Sequence, residues 1–130
     1  MKTILLVDDE VPLRAALAEF LRSQQFVVLE ADSSVEALAI IANTKIDFAI
    51  CDVFMPEATG LELADLLSAK NTNLPILFIT GYSEQVFGRT REGYLNFLQK
   101  PFPLHMLLAR IHEMLPTGQD AEVEEIVSEK

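Results

Sequence analysis

The chain of 130 residues carries 20 acidic side chains against 10 Lys and Arg, a formal net charge of −10, and half of it is apolar. That length supports one domain with a proper core, and the apolar share excludes general disorder. The charge excludes a nucleic-acid-binding surface, which needs clustered Lys and Arg; a partner or ligand is expected to bring positive charge or a bridging cation.

The first apolar run, Ile4–Val7, ends in Asp8-Asp9-Glu10. It falls far short of the ~20 residues of a membrane helix, and no small-residue cleavage site follows it. A cytoplasmic location without membrane attachment is therefore expected. Cys51, the single cysteine, supplies neither a disulfide framework nor a Cys-based zinc site, and reads as a small hydrophobe on a buried strand.

Behind the acidic triplet, Leu13, Ala16, Leu17, Phe20 and Leu21 follow the spacing of one helix face, with Pro12 in the first turn. Phe26–Leu29 is a second strand. Ser33 and Glu36 form a capping box ahead of Val35, Leu38, Ala39 and Ala42. A third strand, Phe48–Cys51, ends in Asp52. Leu63, Leu66 and Leu67 mark a helix that stops before Asn71–Asn73 and Pro75. Ile76–Ile79 ends in Thr80, and Leu95–Leu98 leads to Lys100. Between these two runs, Ser83–Glu92 offers only Val86 and Phe87 as apolar anchors around Gly88, so a short or irregular helix is expected there. Leu104, Leu107, Leu108, Ile111 and Leu115 close the pattern with Pro103 ahead of them. Pro116-Thr117-Gly118 then breaks it, and residues 116–130 hold five acids against one lysine. The expected organisation is one domain over residues 1–115 and an acidic tail or linker over 116–130.

Strands alternating with helices imply an α/β fold, a doubly wound five-stranded parallel sheet of flavodoxin-like order 2-1-3-4-5. The second and fifth runs are the most mixed in polarity, as edge strands are. Ligands of such sheets bind at the carboxyl ends of the strands, beside the point where strand order reverses. Strands one and three are neighbours there, so Asp8, Asp9 and Asp52 gather, with Thr80 on one flank and Lys100 across. Singly each residue has a plainer use: the Asp pair as a helix N-cap, Lys100 as a surface residue, Thr80 as a strand end. Jointly they form a hard-oxygen site suited to Mg²⁺, with Asp52 a carboxylate able to attack phosphorus.

The segments "LLVDDE", "CDVFMPEATG", "LFITGYS" and "GYLNFLQKPF", in that order, resemble the receiver domain of two-component response regulators, the chemotaxis-regulator-like family, over residues 2 to about 115. The resemblance implies phosphorylation of Asp52 by a histidine kinase or His-phosphotransfer protein, in a bacterial phosphorelay. It implies Asp9 as a direct Mg²⁺ ligand, Asp8 acting mainly through water, and the Phe54 carbonyl completing the metal shell. Thr80 and Lys100 would contact the phosphoryl oxygens, aided by backbone N–H groups at Phe54 and Gly81. Phe97 falls at the family's switch aromatic, expected to swing inward as Thr80 moves toward the phosphoryl group. Lys100-Pro101 matches a junction whose peptide bond is usually cis.

The segment from Thr80 to Gly93 is shorter than the commonest family spacing, and Tyr94 stands where alanine is usual. Bulky Phe54 and Tyr82 flank the site and are expected to slow hydrolysis. His105 and His112 lie beside the apolar stripe of the last helix and read as solvent-facing. The expected protein is a phospho-acceptor that assists its own phosphorylation and dephosphorylation rather than an enzyme, a monomer or weak dimer with a downstream protein target. It is either a stand-alone regulator or part of a hybrid kinase or longer regulator. A dehalogenase-type phosphatase would need an acid where Phe54 stands, and a flavodoxin phosphate loop would be repelled by Asp8-Asp9-Glu10. A receiver-shaped scaffold that is not phosphorylated is the remaining alternative.

Overall fold

The five apolar runs lie side by side as strands. The computed structural model describes residues 1–53, 60–70, 73–81 and 96–115. The strands are β1 (Thr3–Val7), β2 (Val27–Ala31), β3 (Phe48–Asp52), β4 (Ile76–Thr80) and β5 (Asn96–Gln99). The described helices are α1 (Val11–Ser23), α2 (Ser34–Asn43), α3 (Gly60–Lys70) and α4 (Leu104–Met114). All neighbouring strands are parallel and run in the order β2-β1-β3-β4-β5, as the sequence pattern implied. The expected helix over Ser83–Glu92, the tail 116–130, and the expected roles of Phe54, Tyr82 and Tyr94 lie outside the described residues.

Side chains alternate across a strand, and both faces of this sheet are covered. Ile4, Leu6, Phe48, Ile50, Leu77, Ile79 and Leu98 pack with Leu17 and Leu21 of α1 and Leu107 and Ile111 of α4. Leu5, Val7, Ala49, Cys51, Phe78 and Phe97 pack with Ala37 of α2 and Leu63 and Leu67 of α3. This double cover is why β1, β3 and β4 are apolar at successive positions. Cys51 is a buried member of the second cluster, as expected of a small hydrophobe. Burial, helped by the neighbouring charge of Asp52, pushes its thiol up to about 12, so it stays protonated and unreactive.

Local signals fix the helix ends. Ser33 is extended (φ −158°) and its Oγ accepts from the Glu36 N–H at 3.2 Å. Glu36 Oε1 reaches back to the Asp32 N–H at 2.7 Å, one residue earlier than a standard capping box would place it. Helix α1 is pinned to β2 by arginines: Arg14 Nε and Arg22 Nη1 both meet Glu30, at 3.1 and 3.2 Å, and Arg22 Nη2 donates to the Val28 carbonyl at 2.7 Å.

The exit from α1 follows the Schellman pattern. The Gln25 N–H donates to the Arg22 carbonyl and the Phe26 N–H to the Leu21 carbonyl, at 3.1 and 3.2 Å, while Phe26 packs in the same cluster as Leu21. The pattern requires a left-handed residue, and Gln25 supplies it at φ 74°, where a side chain costs about 1–2 kcal/mol. Glycine removes that cost but adds chain entropy to the unfolded state. Gln25→Gly is expected to raise stability by about 0.5–1 kcal/mol net, read as a higher urea midpoint at unchanged m-value; a lower midpoint refutes the assignment.

Candidate functional site

Because β1 and β3 pair with Val7 opposite Cys51, the next residues along each chain, Asp8 and Asp52, come out level at the sheet edge. The alternation that puts Ile4, Leu6, Phe48, Ile50 and Leu98 against α1 and α4 carries Asp8, Asp52 and Lys100 to that same side. The ladder continues past the strand ends. The Asp8 N–H donates to the Ala31 carbonyl (3.1 Å), Val53 to Ile79 (3.0 Å) and Lys100 to Thr80 (2.7 Å). These side chains therefore stand on a backbone that is fixed by its neighbours.

Lys100 Nζ lies 3.5 Å from Asp52 Oδ2, 3.4 Å from Asp8 Oδ2 and 2.7 Å from Glu10 Oε1. Asp8, Glu10 and Asp52 each offer an oxygen within 4.8 Å of the other two. Among the described residues, these three carboxylates around the Lys100 ammonium amount to two formal negative charges in excess. Asp8 is fully buried and Asp52 nearly so, whereas Glu10 is exposed.

The two oxygens of Asp8 have different fates. Oδ1 accepts the N–H of Glu10, the N-cap residue of α1, at 2.8 Å. Oδ2 is buried and makes no well-formed hydrogen bond among the described residues; Lys100, 3.4 Å away, attracts it as an ion pair. Burial holds the Asp8 carboxyl above the usual carboxylate range, and the charge of Glu10 adds to this, against the Glu10 N–H and Lys100. For Lys100, burial pulls the ammonium down, yet its hydrogen bond to Glu10 and the charges of Asp8, Asp52 and Glu10 outweigh this and leave it raised. Lys100 is thus firmly cationic at neutral pH.

The expected residues Asp8, Asp52 and Lys100 are brought together. Asp9 is half-buried and stands outside the converging trio, whose third member is Glu10. Thr80 is fully buried on the opposite side by strand alternation, in line with Phe78. Phe97 is also buried, its ring centroid 5.5 Å from that of Phe78, so the ring already sits inside the unmodified chain. Gly81 is exposed, and a Cβ at that position would meet nothing within 4 Å among the described residues. The Lys100–Pro101 peptide is cis. His105 and His112 are exposed, the latter edge-on to Phe26 with centroids 6.3 Å apart.

Glu10 was not singled out from sequence. Its signals were its place directly after the Asp pair and a side chain one methylene longer, able to reach across to the next strand end.

The sequence model for the response regulator receiver domain matches residues 4–112. The chain belongs to that family. The response regulator MprA of Mycobacterium sp. (strain KMS) is 40% identical over 115 residues, 86% of this chain and 50% of MprA. The sensor kinase CckA of Brucella abortus is 37% identical over 117 residues, 87% of this chain and 12% of CckA. The chain thus spans half the length of one curated relative and a small part of the other. The crystal structure of response regulator TrrA from Thermotoga maritima, in complex with Mg²⁺ and BeF, superposes with TM-score 0.79 at 30% identity, covering 88% of this chain and all of that one. Among the described residues of this receiver, no helix is long and apolar enough to cross a membrane.

The donor set fits a hard cation. All converging ligand atoms are carboxylate oxygens, the type Mg²⁺ takes, and the Oδ2 of Asp8 is an orphaned buried acceptor. Because its carboxyl is raised, Asp8 favours the fold when protonated, and that contribution is lost as pH rises from the ordinary carboxylate value through the raised one. In the metal-free chain at pH 7, Asp8→Asn is expected to raise the unfolding midpoint by about 2–6 °C, the shift that ~1 kcal/mol produces at this size. The gain should shrink toward pH 4, and thermal scans of wild type and variant across that range check it.

Proposed function

We propose that this receiver domain accepts a phosphoryl group on Asp52 from a phosphohistidine of a histidine kinase or His-phosphotransfer protein, with Mg²⁺ as cofactor. The observation that carries this reading is Asp52 Oδ2 held 3.5 Å from Lys100 on a strand tip, beside an excess of negative charge. An isolated anionic site would repel a phosphoryl donor; one matched to a divalent cation does not.

Asp8 and Asp52, with Asp9 and the Phe54 carbonyl as the family resemblance implies, would hold the cation, and Glu10 lies within reach of the same place. When bound, Mg²⁺ neutralises charge on the phosphoryl oxygens. The rest of the chemistry falls to the chain. An Asp52 carboxylate oxygen forms the new O–P bond while the P–N bond to the donor imidazole breaks; that ring keeps the electron pair and takes up a proton. Phosphoryl transfer asks mainly for positioning and charge stabilisation, which the fixed β3 tip and the Lys100 ammonium supply. The acyl phosphate is later hydrolysed at phosphorus, returning Asp52. The domain is in this sense a reactant that assists its own modification, not an enzyme with a separate substrate.

The modification adds nearly two negative charges. A hydrogen bond to a charged group contributes ~1.5–3 kcal/mol, so contacts from Thr80 and Lys100 together approach the ~5.5 kcal/mol that turns a 1:99 equilibrium into 99:1. Thr80 reaches the phosphoryl group only by reorienting from its place beside Phe78, which makes it the reporter of modification; downstream readout passes to a protein partner.

Incubation with a small phosphoryl donor and Mg²⁺ is expected to add one phosphoryl group by intact mass, and Asp52→Asn to abolish the addition. Lys100→Met should slow it by at least tenfold, the loss of about 1.4 kcal/mol of charge stabilisation. A wild-type chain that gains no mass with any donor is a scaffold rather than a phospho-acceptor.

A further inference from the structure

Among the described residues, the shortest ion pair in the site joins Lys100 to a residue to which the phosphoryl-transfer reading gives no step. Lys100 Nζ is 2.7 Å from Glu10 Oε1 but 3.4 and 3.5 Å from the oxygens of Asp8 and Asp52. The pair is hydrogen-bonded, with Glu10 on its exposed side, where such pairs contribute modestly. Glu10 is also the N-cap of α1, but its side chain makes no capping bond. Its backbone N–H is held by Asp8 Oδ1 at 2.8 Å, so the base of the side chain is fixed while its carboxylate stays exposed at the mouth of the site. The carboxylate is thus not used to cap the helix and bonds Lys100 instead.

We infer that Glu10 is a positioning residue that occupies Lys100 in the resting chain as an internal stand-in for the incoming phosphoryl oxygens. This rests on the reading of Asp52 as phospho-acceptor. One ammonium faces four claimants in turn: Asp8, Asp52, Glu10 and the phosphoryl group. Asp8 and Asp52 are buried and anchored by the sheet, so they cannot yield. Glu10 is the exposed member, and its side chain can swing into water at little cost. A phosphoryl group on Asp52 therefore takes Lys100 by displacing Glu10, and the receiver is set below its maximal affinity for phosphoryl-like ligands by that exchange. The freed carboxylate ends at the N-terminus of α1 beside exposed Val11, so release of Glu10 changes the surface there in step with modification.

The test is a double-mutant cycle on beryllofluoride binding at saturating Mg²⁺, read by calorimetry in wild type, Glu10→Ala, Lys100→Met and the double variant. Glu10→Ala is expected to tighten binding about twofold to fivefold, the scale of an exposed ion pair. Glu10→Gln, which keeps a neutral acceptor, should fall between it and wild type. In the Lys100→Met background, Glu10→Ala should change nothing, since the competition acts through Lys100. A second readout needs no ligand: the Lys100 ammonium resonance, slowed in solvent exchange in the metal-free wild type, should lose that protection in Glu10→Ala. Tighter binding in both backgrounds would mean plain charge repulsion and overturn the inference. Weaker binding, or a loss of Mg²⁺ affinity large enough to prevent saturation, would make Glu10 a cation ligand and overturn it as well. Unchanged affinity overturns it while leaving the phospho-acceptor reading intact; absent binding by the wild type removes both.

Discussion

A single positive charge shared by carboxylates from two strand ends and a helix cap is the constraint on which this receiver depends. Lys100 lies 90 positions from Glu10 in the chain, yet 2.7 Å away in space. Nothing in β1 alone could hold Asp8 with one oxygen buried and unbonded. What holds it is the backbone: the Asp8, Val53 and Lys100 N–H groups each extend the parallel ladder one step beyond the strands. The sheet therefore absorbs the positional demand, and the side chains carry the electrostatic conflict. Loosening those backbone bonds would let the carboxylates drift apart into water, relieving the repulsion and losing the site.

The sheet also separates two jobs by face. Asp8, Asp52 and Lys100 follow the side packed by α1 and α4, while Thr80 continues the side of Phe78 and Phe97, packed by α2 and α3. Thr80 joins the two faces at the sheet edge: its side chain follows the side of Phe78, while its carbonyl accepts the Lys100 N–H at 2.7 Å. Phe97 is already packed beside Phe78. In the unmodified chain the ring is therefore buried, on the same face of the sheet as Thr80.

Much of this was legible before the structure. Parallel order, edge strands and the gathering of Asp8, Asp52 and Lys100 follow from runs of apolar residues ending in polar ones, because burial on both faces leaves a strand only its ends for charge. Two features were not legible, for physical reasons. The left-handed turn at Gln25 is normally signalled by glycine; here the packing of Phe26 and two backbone bonds offset a cost of about 1–2 kcal/mol, and no residue type announces that. The choice of Glu10 over Asp9 as the converging acid depends on how the chain turns from β1 into α1. A one-residue difference there redirects the side chain, and composition carries no record of it.

The same turn gives the two oxygens of Asp8 different surroundings. One oxygen does the work of a helix start by holding the Glu10 N–H, and the other faces Lys100 without a hydrogen bond. A residue used only for capping would sit at the surface, where both oxygens are solvated and the stabilisation is ~1 kcal/mol. Asp8 instead is fully buried, so its second oxygen carries a desolvation cost of about 1–3 kcal/mol or more for a charged group. Leu5, Leu6, Phe48, Ile50 and Phe78 in the sheet are all buried, so Asp8 is held in place by packing on both faces of the sheet and by the backbone ladder rather than by bonds to its second oxygen.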